Sequence, residues 1–129
     1  MAYVESVRSA PFQWGTHDCL SFSNSAVAAY RGHGYADDWL GGYSTEAGAA
    51  LHCTRLLRRQ GFSGIVDAVD TRLVRYVSRV PSRGSVIARP CDGVLGYAFG
   101  IVVSDRAAFV GRTGLDILRI ETDDVFWRV

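Results

Sequence analysis

Few residues in this sequence can do covalent chemistry: Cys19, Cys53 and Cys91, with His17, His33 and His52 as the imidazoles that could serve them. The cysteines are odd in number, widely spaced and contain no C-x-x-C pair. That spacing argues against a disulfide framework and against a tetrahedral zinc centre, so no metal and no cofactor are expected. His17 lies two residues before Cys19 and is the nearest candidate base, the alternative being a loop histidine bonded to backbone. His33 reads as a helix C-terminal cap, where an imidazole meets the negative end of the dipole. His52 reads as a structural mid-helix residue. Asp37 and Asp38 could form a carboxylate pair or hold a cation, and an exposed loop pair is the plainer reading.

The elements that would position Cys19 can be read from spacing. Ala2 to Ser9 predicts a short helix ended by Pro11, followed by a loop from Phe12 to His17. Asp18 is an N-cap candidate, and Cys19, Phe22, Ala26 and Tyr30 trace one helical face. On that stripe Cys19 can also be a small buried hydrophobe. Gly32 and Gly34 close the helix. Ser44 or Thr45 caps a second helix with the stripe Ala49, Cys53, Leu56 and Leu57, stopped at Gly61 with Phe62 beyond it. Val66, Val69, Leu73 and Tyr76 predict a third helix over 65–77, although its β-branched residues also suit a strand. After Pro81 come short apolar runs at 85–88, 94–103, 107–110, 115–120 and 125–129, the pattern of an antiparallel sheet. Alternation puts Tyr97, Phe99, Ile101 and Val103 on one face of the second run. The other face, with Ala98, Gly100 and Val102, is flat enough to receive a closely packed helix. Helices first and strands second predict an α+β fold, N-terminal helices on a C-terminal antiparallel sheet, in one domain over 1–129.

Three motifs carry a resemblance. Trp14-Gly15-Thr16-His17-Asp18-Cys19 resembles the W-G-x-x-D-C signature of NlpC-type, papain-like cysteine peptidases. Pro81-Ser82-Arg83-Gly84-Ser85-Val86-Ile87 resembles the family's P-x-x-G-D-V-V, with Ser85 in place of the aspartate. Ala98-Phe99-Gly100-Ile101-Val102 resembles its H-V-G-I-Y strand, with Ala98 in place of the catalytic histidine. The resemblance implies a papain-like fold with Cys19 as nucleophile, at a helix start whose free N–H groups and dipole would favour the thiolate. Gly15 would shape the loop before it and Trp14 would pack beneath. It also implies a lost base: with Ala98 at the histidine position the dyad is absent, which costs several orders of magnitude in rate. Leu20-Ser21, in place of Ser-Gly, adds bulk near any oxyanion pocket.

NlpC-like proteins of this kind are encoded among the tail-tip genes of tailed phages. The resemblance therefore implies a structural or assembly component of a phage or prophage-derived tail tip, a pseudoenzyme carried into the virion after assembly in the host cytoplasm. Its partners would be hub, fibre or other tail-tip proteins, met through the aromatic loop around Trp39 and Tyr43 and through the C-terminal strand. The alternatives are an active endopeptidase or amidase on peptidoglycan peptides, and an assembly chaperone or binding module. Composition narrows the classes further. All 14 basic residues are arginine, the net charge is +1, and no basic run forms a phosphate footprint, so nucleic acid is not an expected partner. No segment approaches the roughly 20 apolar residues of a membrane span. Met1 to Pro11 holds Glu5, Arg8 and no apolar run, and does not read as a signal peptide.

Overall fold

Local chemistry specifies helix α2 (Cys19–Arg31) at both ends. The structure, a computed structural model, describes residues 2–93 and 95–129. Asp18 Oδ1 accepts the Ser21 N–H at 2.9 Å while Ser21 Oγ accepts the Asp18 N–H at 2.8 Å, a reciprocal cap for the first turn. Gly32 ends the helix at φ 91°, a left-handed conformation that suits glycine. Between these caps Leu20, Phe22, Ala26 and Val27 are buried. Helix α1 (Ala2–Ser6) lies before α2 and buries Val4. A 3-10 turn at Asp37–Trp39 leads to α3 (Glu46–Arg59), capped by Thr45, whose side chain accepts the Gly48 N–H at 3.0 Å. Ala49, Cys53 and Leu57 bury the predicted stripe, and beyond Gly61 the Phe62 N–H closes on the Leu57 carbonyl at 2.8 Å.

The third helix is shorter than its period predicts. Helix α4 spans Ile65–Asp70, and Val74–Arg75 form strand β1 instead. Pairing decides this: Val74 and Arg75 sit opposite Arg128 and Trp127, and a β-branched residue follows the available ladder. The remaining strands are β2 (Val86–Pro90), β3 (Tyr97–Val103), β4 (Arg106–Val110), β5 (Leu115–Arg119) and β6 (Val125–Arg128). Residue 94, where the sequence pattern begins the second run, lies outside the described residues, and β3 starts at Tyr97. All six strands form one antiparallel sheet in the order β1-β6-β2-β3-β4-β5. Helices lead and the sheet follows, so the architecture is α+β.

One expectation is corrected here. The helices pack on the Phe99 and Ile101 face of β3, together with Val86, Ala88, Ala108 and Trp127. The flat face has a different cover. Gly100 lies beneath the Phe109 ring, and Val102 joins Ile87, Ala107, Phe109 and Phe126 in a second cluster, with Ala98 packed against it. Arg79 and Arg89 lie over Phe126 and Phe109, at 5.1 and 4.8 Å from the ring centres. Space beside a glycine was filled by an aromatic ring from the neighbouring strand, not by a helix. Strand β6 is hydrogen-bonded to β1 on one side and to β2 on the other, so a partner would meet its exposed end at Arg128 and not a free edge. Each large apolar side chain buried in these clusters contributes about 1.5–3 kcal/mol.

Two ion pairs tie the helical layer down. Arg72 grips Asp38 through both guanidinium nitrogens and lies 3.9 Å from the Trp39 ring centre. Its hydrogen bonds hold the Asp38 carboxyl below the usual range. Burial pushes Asp70 the other way, but bonds from Arg75 and Trp127 outweigh it and leave that carboxyl lowered too. Both groups bind protons less readily folded than unfolded. Their contribution is therefore complete above about pH 4, the unfolded carboxylate value, and is lost as pH falls through the folded values. The urea midpoint should hold between pH 7 and 5 and drop below about pH 4, and Asp70→Asn should flatten that drop. An unchanged slope in the variant would assign the acid sensitivity to other carboxylates. Among the described residues no helix is long and apolar enough to cross a membrane.

Candidate functional site

The first turn of α2 ends in a cavity of about 230 Å³, where the helix start meets β3 and α3. Asp18 organises its wall. This carboxylate is 1% exposed, and Oδ2 accepts the Gly15 N–H at 3.0 Å and the Tyr43 hydroxyl at 3.0 Å, while Oδ1 takes the Ser21 cap bond. One buried side chain thereby fixes the incoming loop, the helix start and the loop before α3. Gly15 is required where it stands: at φ 86°, any Cβ would collide with the Tyr43 carbonyl oxygen. Trp14 packs edge-on against Phe12 with ring centres 4.7 Å apart, and both line the cavity.

Cys19 opens onto this cavity as a half-buried residue, but its sulfur sits in the desolvated floor. Burial pushes the thiol up to about 11. The Phe99 backbone N–H turned toward the sulfur pulls down, and the neighbouring Asp18 charge pushes further up. The helix start therefore does not deliver a thiolate: loss of water and a buried anion next door outweigh the amides. Cys53, buried on α3, lines the same cavity and is likewise raised to about 11. Cys91, exposed beyond β2, is the third cysteine on its wall.

The histidines lie elsewhere. His17 packs its ring edge-on against Phe22 at 6.0 Å, burial lowers its pKa, and it does not line the cavity. His17 Nε2 is buried without a hydrogen-bond partner among the described residues, so it does not bond to Cys19. His52 lies against Tyr43, ring centres 5.5 Å apart, and His33 is exposed beyond α2. Among the residues that line the cavity the ionisable side chains are Asp18, Tyr43, Glu46, Tyr97 and the three cysteines. Tyr43 is committed to Asp18 and, through burial first and that charge second, is raised well above the usual phenol range.

The remaining sequence candidates divide by place. Ala98 touches the rim of the cavity, although its position in β3 groups it with the second cluster, and Tyr97 occupies the helix-side register beside it. Gly100 serves the sheet, under Phe109. Gly84, at φ 90°, turns the chain into β2 and belongs to a different cavity. Asp37 bonds to Asn24 and to the Gly34 N–H, and Asp38 to Arg72, so the two carboxylates hold the loop rather than converge. No group of His, Cys, Asp and Glu able to hold a metal occurs among the described residues. Sequence reasoning missed Tyr43, Cys53, Cys91 and Tyr97 as wall residues. Of these only Tyr97 was signalled, by its alternation with Phe99 and Ile101.

A family model described as a domain of unknown function (DUF6950) matches residues 1–129, the whole length given. The chain belongs to the DUF6950 family. No curated protein and no solved structure matches it. For this DUF6950 chain the cavity therefore has to speak through its own chemistry. It holds a sulfur at a helix start, backbone amides aimed at that sulfur and a buried carboxylate behind it, with no histidine among the described lining residues.

Proposed function

We propose that this chain is a structural or assembly component of a phage or prophage-derived tail tip, built on a papain-like, NlpC-like fold without its catalytic pair. The observation that carries the reading is the Cys19 cavity, in which a high-pKa thiol faces β3 and no histidine lines the wall. Support comes from a cysteine at a helix start packed against the strand that carries Ala98, since the resemblance implies a cysteine at a helix start and a histidine strand. Hydrolysis needs a base within hydrogen-bond reach of the nucleophile, and the reading is supported by a described lining that contains no histidine. The fold's interest then lies in its surfaces, and its partners would be hub, fibre or other tail-tip proteins.

The test is the pH dependence of alkylation in the folded protein, with the three cysteines resolved by peptide mass spectrometry. Cys91 should label readily at neutral pH, and Cys19 on the order of 100-fold more slowly, with an apparent pKa well above the free value of about 8.5. Fast labelling of Cys19 at neutral pH would overturn the reading and restore a peptidoglycan endopeptidase or amidase. Alongside it, Cys19→Ser should leave particle infectivity intact, and the protein should be present in purified particles. Its absence from them would favour an assembly chaperone instead.

A further inference from the structure

A larger cavity, of about 510 Å³, lies away from Cys19 and shares no lining residue with that site. One side of it is small-residue surface, Ala2 of α1 with Ala26 and the exposed Ala29 of α2. Its walls carry three tyrosines, Tyr3, Tyr30 and Tyr76. Tyr30, on α2, is 78% exposed, so its ring stands at the mouth of the cavity. Tyr3 is braced from behind by Phe22, ring centres 6.2 Å apart.

Among the described residues that line it, the charged side chains are Arg83 and Arg128, with no Asp or Glu beside them and Val129 next to Arg128. Neither arginine pairs with a carboxylate among the described residues, whereas Arg72, Arg75 and Arg89 all do. Arg128 lies over the Tyr76 ring, its guanidinium carbon 5.7 Å from the centre. The Tyr76 hydroxyl oxygen accepts the Ser82 N–H at 3.1 Å and the Ser85 hydroxyl at 3.3 Å. With both acceptor positions used, its own proton has no acceptor on the protein among the described residues. Burial opposes ionisation of Tyr76, and those two donors outweigh it, so the phenol oxygen already sits in a field that favours negative charge.

We propose that this cavity binds a small anion with a flat, apolar body, its acidic group held by Arg83, Arg128 and the Tyr76 hydroxyl and its body laid among the tyrosines. Each part answers a separate demand. The volume falls in the range of small-molecule sites, which are apolar with a few converging polar groups. Flat rings stack on tyrosine faces, and two guanidinium groups recognise a carboxylate or sulfonate through charge-assisted hydrogen bonds. A neutral or cationic ligand of the same shape would leave both arginines unanswered.

The probe is anilinonaphthalene sulfonate, titrated into the full chain and followed by fluorescence, with N-phenylnaphthylamine as the neutral counterpart. The sulfonate should bind saturably, one per chain. The double substitution Arg83→Gln with Arg128→Gln should weaken it roughly tenfold or more and leave the naphthylamine unchanged. Both arginines are surface-exposed, so the near-ultraviolet circular dichroism of the folded protein should persist. Ala29→Trp, which fills the cavity from its rim, should weaken both probes together. Non-saturable binding, an arginine double variant that binds the sulfonate as tightly as the parent, or an Ala29→Trp chain that still binds both would overturn the proposal.

Discussion

Asp18→Ala should destabilise the fold by about 3 kcal/mol, combining a lost helix cap of about 1 kcal/mol with the cost of leaving buried donors without an acceptor. Three donors lose their partner at once: the Gly15 N–H, the Ser21 N–H and the Tyr43 hydroxyl. Thermal unfolding should move down by roughly 10 °C, since a domain of this size shifts by several degrees per kcal/mol. Asp18→Asn should fall between the two proteins, because its amide oxygen can keep the Ser21 bond while its NH2 group faces the Gly15 N–H. Tyr43→Phe removes a single donor and should cost about 1 kcal/mol. An Asp18→Ala cost below 1 kcal/mol would mean that the loops around Cys19 are held by something other than this carboxylate. Removing the Asp18 charge should also let the Cys19 thiol ionise more readily, since that charge helps to raise it. The alkylation rate of Cys19 reads this directly.

Trp127→Ala should be costlier still, about 4 kcal/mol, within the range for removing a buried tryptophan. Its side chain is fully buried in β6, lies parallel to Phe99 at 6.2 Å between ring centres, and donates from Nε1 to Asp70 Oδ1 at 2.8 Å. The indole thus joins the middle of the sheet to the end of α4. Small domains hold about 5–15 kcal/mol in total, so this one change removes a large part of the reserve. Urea unfolding should show a lower midpoint with an unchanged slope. Trp127→Phe should recover most of the packing and forfeit the bond to Asp70, costing about 1–2 kcal/mol. Equal costs for Ala and Phe would locate the effect in that bond and not in the packing.

These two residues show which parts of the molecule were legible. Asp18 was readable as a cap because its partner, Ser21, is three residues away, and capping is decided within one turn. The strands after Pro81 were readable for the same reason: alternation and turn residues act over a few positions. Val74 and Arg75 were not. Their apolar spacing continues the helix, and only the arrival of Arg128 and Trp127 alongside makes them a strand. The choice of face on β3 failed similarly. Alternation separates Phe99 from Gly100 but says nothing about which side a helix will cover, and Phe109 from β4 claimed the glycine side. Around Cys19 the motif marked the loop and the helix start. It could not announce that Cys53 from α3 and Cys91 from beyond β2 would share the wall, since convergence across such separations leaves no trace in local spacing. Nor could it reveal the sign of the thiol's shift, which depends on how much water the assembled wall excludes.

The order of strands has a consequence for how the chain reaches this state. From β2 to β5 each strand pairs with the next one synthesised, so that four-stranded meander can grow by short steps as the chain appears. Strand β6, the most C-terminal, must instead come back past all of them to fill the slot between β1 and β2. Until it does, β2 carries an open edge beside Val86 and Ile87, both fully buried in the finished fold. Bringing β6 back to β2 closes a longer loop than any hairpin of the meander, and an unpaired β2 edge is open to pairing with a neighbour until it is closed. The strand that is flanked on both sides in the finished sheet is thus the one whose lateness leaves β2 uncovered.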